Sequence, residues 1–168
     1  MQKIFLLSDT HGFWDDAWIK YIEQADEVWH AGDIGNTFVI DKINNYAKEK
    51  MKNRMVYGNI DGQDIRIQTK EYQVFQIEKL TVLITHIAGG FSKYNSQTKR
   101  LIQLHHPNIL VCGHSHILKI KYDESNKLWY INPGAAGTYG LHYVRTALFF
   151  EVNNEKIQNF KIVEWSKK

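Results

Sequence analysis

The sequence predicts a mixed α/β fold, one domain over residues 1–168, and three observations carry that prediction. Short apolar runs of strand length alternate with helix-period segments through the first 60 residues. Strands then follow one another too closely for helices to intervene. A late helix is followed by strands to the end of the chain. Alternation of the first kind favours parallel pairing with right-handed crossovers, and close succession of the second kind favours hairpins. The sum is a mixed sheet, or a pair of sheets, with helices on the outside.

Ile4-Phe5-Leu6-Leu7 is continuously apolar, the pattern of a strand covered on both faces, and stops at Ser8-Asp9-Thr10-His11-Gly12. Trp18, Ile19 and Ile22 recur at helical spacing between Asp15 and Gln24, with Asp15 and Asp16 suited to a first turn. Val28 to Ala31 is the second strand, ending in Gly32-Asp33; Phe38, Val39, Ile43 and Tyr46 mark the second helix. Arg54 to Tyr57 is a third strand, running into Gly58-Asn59-Ile60-Asp61. Glu71 to Ile77 and Leu80 to Thr85 read as an antiparallel hairpin whose second strand leads to His86. A third helix is expected from Ser92 to His105, closed by Pro107. Ile109 to Cys112 then runs into Gly113-His114-Ser115-His116. Strands at 118–122, 128–132, 146–152 and 157–165 complete the chain, with the glycine-rich loop Asn132-Pro133-Gly134-Ala135-Ala136-Gly137 between the middle pair.

At 168 residues the chain is long enough for a substantial core, and its 43% hydrophobic and 13% aromatic content is that of a globular protein. The formal charge of +3 and a sequence pI near 8.8 neither support nor exclude a nucleic-acid partner. One cysteine, Cys112, allows no internal disulfide and fits a reduced, cytoplasmic setting. No stretch approaches the roughly 18 apolar residues of a membrane span, and the N-terminal apolar run is too short for a signal peptide. The oligomeric state is left open, a homo-oligomer included.

The chemistry lies at the strand ends. Taken singly, Asp9 reads equally well as a helix cap and His11 as a surface histidine. Recurrence changes that reading: Asp9 and His11, Asp33, Asn59, His86, and His114 with His116 each follow a predicted strand, most of them beside glycine. In a parallel or mixed sheet those ends share one edge, so the side chains converge there. Imidazoles, carboxylates and an amide gathered without a cation would be costly to bury. With no thiolate among them, the ligand types suit borderline divalent ions and argue against a closed structural zinc site. Seven ligands are too many for one tetrahedral ion and about right for two ions sharing a carboxylate.

The motifs Asp9-Thr10-His11, Gly32-Asp33, Gly58-Asn59-Ile60-Asp61, His86 and Gly113-His114-Ser115-His116, in this order, resemble the calcineurin-like metallophosphoesterases, and among them the small single-domain bacterial and archaeal phosphodiesterases. The loop Asn132-Pro133-Gly134 extends the likeness over most of the chain. The resemblance implies a four-layer αββα sandwich of two mixed β-sheets flanked by helices. It implies a site for two divalent metal ions, Mn first, with Ni, Fe or Zn as alternatives. Asp9, His11 and His116 would hold one ion, Asn59, His86 and His114 the other, and Asp33 both. The implied activity is hydrolysis of a small phosphate ester, a phosphodiester first and a monoester second, by an acidified water.

One departure stands out. Many family members carry a histidine directly after the motif asparagine, where this chain has Ile60, which can neither protonate a leaving group nor stabilise charge. Activated or good leaving groups are therefore expected to react best. His30, Asp61 and His142 are the substitutes the sequence offers; His30 also reads as a residue that orients a ligand, and His142 or Arg145 as a substrate contact. Two other functions are carried alongside. One is a catalytically silent scaffold, since the family's fold is similar to that of a retromer subunit; the other is a nuclease. Ile60 is the argument for the scaffold, and the complete ligand set argues against it.

Overall fold

The computed structural model describes residues 1–167. The strands are β1 (Gln2–Leu7), β2 (Glu27–His30), β3 (Lys52–Met55), β4 (Tyr72–Ile77), β5 (Leu80–Thr85), β6 (Gly89–Gly90), β7 (Lys93–Tyr94), β8 (Ile109–Val111), β9 (Leu118–Asp123), β10 (Leu128–Pro133), β11 (Val144–Asn153) and β12 (Lys156–Ser166). The helices are α1 (Ile19–Ile22), entered through a 3₁₀ turn at Asp16–Trp18, α2 (Thr37–Tyr46), α3 (Gln63–Arg66) and α4 (Ser96–His105).

Two five-stranded sheets stack face to face, in the orders β12-β11-β1-β2-β3 and β4-β5-β8-β10-β9. The strands β1, β2 and β3 run parallel in the first, and β5, β8 and β10 run parallel in the second. Period-2 alternation on strands buried on both faces then sorts their side chains into three apolar layers. Phe5, Leu7 and Val28 face Trp18, Ile22, Ile40 and Ile43 of the first helical layer. Ile4, Leu6 and Trp29 face Val82, Ile84, Ile109 and Val111 between the sheets. Leu83 and Leu110 face Leu101 and Ile102 of α4. Helix, sheet, sheet and helix thus make the four layers that the resemblance implies.

Several boundaries differ from the sequence reading. The expected 15–24 helix is two single turns, with Asp15 capping the first through Ala17 N. The helix expected from Ser92 begins at Ser96, because Lys93–Tyr94 pairs with Gly89–Gly90 and the Asn95 side chain caps Thr98 N at 2.8 Å. It ends at His106 in the left-handed conformation, immediately before Pro107. The short helix α3 and the β6–β7 hairpin had no sequence signal of their own. No helix among the described residues is long and apolar enough to cross a membrane.

Candidate metal centre

The parallel strands of both sheets end at one edge of the sandwich, and the loops beyond them carry all seven ligand candidates. Six fall into two groups. In each, one ligand atom per residue lies within 4.8 Å of the others: Asp9, His11 and His116, then Asp33, His86 and His114. Each group draws on both sheets. His116 Nε2 lies 3.1 Å from Asp9 Oδ1 and 3.3 Å from His11 Nε2. Asp33 sits between the groups, with Oδ1 3.2 Å from His86 Nε2 and Oδ2 3.8 Å from His11 Nε2. Asn59 is exposed and lines a cavity of about 150 Å³ with Gly58 and His86, on the second group's side.

The backbone at these loops is strained. Asp9, His11, Asp33, His114 and His116 all have positive φ, between 48° and 66°. For residues with a Cβ that conformation costs about 1–2 kcal/mol each, and it persists only where the surroundings over-determine it. Here the loops bond one another: Asp9 N donates to Gly32 O (2.9 Å), His11 N to Asp33 O (3.0 Å) and Gly113 N to His86 O (3.0 Å). The sharp corners turn neighbouring side chains toward a common point. Gly58 makes room for Asp33, since a Cβ there would lie 2.0 Å from Asp33 Oδ1.

The hydrogen-bond pattern fits cation ligands, and the carboxylates draw positive charge to the site. His86 Nδ1 donates to Ala31 O at 2.7 Å, which leaves Nε2 directed at Asp33, buried and without a hydrogen-bond partner of its own. Burial opposes charge on this ring, but the Asp33 and Asp9 carboxylates outweigh it and raise its pKa. Burial would likewise raise Asp33, yet the adjacent His86 ring pulls it below the usual carboxylate range. His11 is lowered, because desolvation outweighs the attraction of Asp33 and Asp9. An orphaned imidazole nitrogen, two imidazole nitrogens in contact and a carboxylate with one oxygen toward each group are what a pair of cations would satisfy. The donor set of imidazole, carboxylate and amide without thiolate suits divalent ions of the Mn to Zn series.

Below the ligands, His30 and Asp61 hold the loops. His30 is fully buried; Nδ1 accepts from Gly32 N (3.2 Å), and Nε2 therefore donates to Thr10 Oγ1 (3.0 Å), which donates to Ile34 O (3.0 Å). Burial lowers its pKa to about 4, so the ring is neutral. The Asp61 carboxylate accepts from Ile34 N (3.1 Å), Gly35 N (2.7 Å) and Gly58 N (2.7 Å), tying the Asp33 loop to the Asn59 loop. Of the three residues named from sequence for catalysis, Asp33 alone lies within the ligand groups.

The remaining candidates divide in the same way. Ile60 donates its backbone N–H to Asp33 Oδ1 (3.1 Å) while its side chain is half exposed beside the site. His142 packs edge-on against His116 with ring centroids 5.4 Å apart; Nε2 donates to Gly137 O (3.0 Å), and Nδ1 is buried without a partner. Arg145 pairs with Asp15 at 2.7 Å and stacks on Phe13, so it braces β11 rather than reaching the site.

Two residues near the centre had no role in the sequence reading. Asn132 donates through Nδ2 to Gly113 O (2.8 Å) and Ser115 Oγ (3.1 Å) while its Oδ1 accepts from Gly134 N (2.9 Å), so the glycine-rich loop clamps the His114–His116 loop. The motif was visible in sequence, but its partner was not. Tyr139 lays an exposed ring 4.8 Å from that of His11, and nothing in its local sequence signals that contact.

Comparison with known proteins adds family and fold. The family model for the calcineurin-like phosphoesterase superfamily domain matches residues 2–155. A probable metallophosphoesterase of Mycoplasma pneumoniae is 26% identical, the match covering 80% of this chain and 79% of that protein. Among solved structures, an archaeal protein described as a novel phosphodiesterase superposes with a TM-score of 0.70 at 23% identity, covering 96% of this chain and 99% of the other. Vps29 of Entamoeba histolytica, in complex with Zn²⁺, superposes with a TM-score of 0.72 at 15% identity over 99% of both chains.

Proposed function

We propose, from the premise that the chain belongs to the calcineurin-like phosphoesterase superfamily, that it is a metal-dependent hydrolase of small phosphodiesters. The observation that carries this reading is Asp33, whose two oxygens face one ligand group each. Asp9, His11 and His116 would hold one divalent cation, Asn59, His86 and His114 a second, with Asp33 common to both. Bound there, a cation pair of the Mn, Ni, Fe or Zn kind supplies Lewis acidity, lowering the pKa of water and offsetting charge on phosphoryl oxygens. The chain's own part is to hold its ligands in place before substrate arrives. The His30–Thr10–Ile34 relay and the Asp61 clamp fix the loops, so little reorganisation is left for the reaction. Ile60 offers no proton to the departing alkoxide, and His142 Nε2 is engaged with Gly137 O, so esters of acidic alcohols are the expected fast substrates. The archaeal neighbour's description as a phosphodiesterase points the same way.

The test is turnover of bis-p-nitrophenyl phosphate and p-nitrophenyl phosphate by metal-stripped protein, with Mn, Ni, Zn and Mg restored one at a time. The diester should be hydrolysed with Mn or Ni and not by the Asp33→Ala variant. Cations bound without turnover of either ester would favour the second reading, a scaffold on the same fold, for which the exposed Ile60 side chain is the specific observation.

A further inference from the structure

Beside the metal centre, between the loops that follow β5 and β8, a cleft of about 270 Å³ opens directly at His114. Ile87 and Ile117 line its rim and are 39% and 61% exposed, so their side chains are open to contact from solvent. Gly89 and Gly90 of the β6–β7 hairpin also line the cleft. Phe91 and the buried Tyr130 add aromatic lining, and Lys121 Nζ stands 4.8 Å over the Phe91 ring. Lys119 is the one lysine, arginine, aspartate or glutamate among the lining residues. A cationic headgroup entering here would lose hydration against apolar walls, meet Lys119 and find no carboxylate; a flat uncharged or anionic group would not.

We propose that this cleft receives the organic group of the phosphate ester and selects a flat aromatic group that carries no positive charge. The inference rests on the hydrolase reading for its phosphate anchor: with a phosphoryl group at the ligand groups, the cleft that opens at His114 is within reach of its ester substituent. Ile87, Ile117, Phe91 and Tyr130 supply contact, and Lys119 supplies discrimination by charge.

The experiment reads affinity without turnover. Mn-loaded protein is titrated calorimetrically with inorganic phosphate, phenyl phosphate and phosphocholine, each carrying one phosphate and at most one organic group. Phenyl phosphate should bind about tenfold or more tightly than inorganic phosphate, the gain expected from burying one ring face. Phosphocholine should bind no more tightly than inorganic phosphate. Ile117→Asp should bring the ratio of phenyl phosphate to inorganic phosphate affinity close to one, and Lys119→Glu should give phosphocholine an advantage over inorganic phosphate. Both positions are exposed, so neither variant threatens the core. Equal binding of phenyl phosphate and inorganic phosphate overturns the proposal, as does a ranking that neither variant moves. A protein that ranks the three ligands as described yet hydrolyses neither nitrophenyl ester supports the cleft and overturns the hydrolase reading. A Mn-loaded protein that binds no phosphate overturns both.

Discussion

Asp61→Asn separates a residue that holds loops from one that takes part in chemistry. Asp61 is 3% exposed, and its two oxygens accept three backbone N–H groups, two at Oδ2 from Ile34 and Gly58 and one at Oδ1 from Gly35. An asparagine with its oxygen in the Oδ2 place keeps two of the three. Its NH₂ then meets Gly35 N–H, donor against donor. Losing one charge-assisted bond and stranding one donor costs about 1–3 kcal/mol. With a urea slope of about 1–3 kcal/mol/M, the unfolding midpoint of the metal-free variant should fall by about 1 M. Alanine strips both acceptor oxygens and all three hydrogen bonds and costs about three times as much, comparable with the whole stability of a domain at about 5–15 kcal/mol, so asparagine is the informative change.

The assay is urea unfolding of metal-free protein followed by Mn titration and diester hydrolysis. Because the clamp joins the Asp33 and Asn59 loops, Mn affinity should weaken in step with the midpoint, and activity should return at saturating Mn. Unchanged midpoint and Mn affinity with hydrolysis abolished would refute the argument, and would make Asp61 a group that acts on substrate.

Three further outcomes follow from the same geometry. Between pH 6.5 and about 4 the unfolded chain protonates His30 and the folded chain does not, so the unfolded state binds more protons and metal-free stability should fall with acid across that window. His11 and His142 are lowered as well and add the same sign, while the raised His86 works against them, so the check is a shallower pH slope of the urea midpoint in His30→Asn than in the parent. Gly58→Ala would set a Cβ 2.0 Å from Asp33 Oδ1 and 2.4 Å from Asp33 N; calorimetry should show Mn affinity reduced at least about tenfold while far-UV dichroism is retained. The His142 ring packs edge-on against that of His116 with centroids 5.4 Å apart and so holds it in place. His142→Ala should weaken Mn binding about tenfold, and His142→Phe, which keeps a ring there, should restore it.

The strands were legible because burial on both faces leaves a plain mark: Ile4 to Leu7 and Ile109 to Val111 are apolar at every position, and both are strands within a residue or two of the expected bounds. Local bonding set the rest. Asn95 could be read as a cap only once Lys93 and Tyr94 were seen to pair with Gly89 and Gly90. The helix α3 is one turn whose single buried residue, Ile65, is too little for periodicity to register. At the site, strand-end position brought out the ligand candidates, but position does not say where a side chain points. His30 and Asp61 stand at strand ends like the others, yet their polar atoms are spent on Gly32, Thr10, Ile34, Gly35 and Gly58. Asn132 shows the converse: its amide reaches across nearly twenty residues to Gly113, a contact with no trace in local sequence.

The ligand groups each span both sheets, and that has a mechanical side. Apolar contacts between stacked sheets resist separation well and sliding poorly, because one methyl row is much like the next. Fastening Asp9 and His11 to His116, and Asp33 to His86 and His114, rivets the layers at one end and turns a slip plane into a hinge. A loaded molecule can then splay only at the end remote from the site, where the Glu78–Lys79 turn meets Asn154, so the Lys79 amide proton, donated there to Asn154 O at 3.2 Å, should be among the first to exchange.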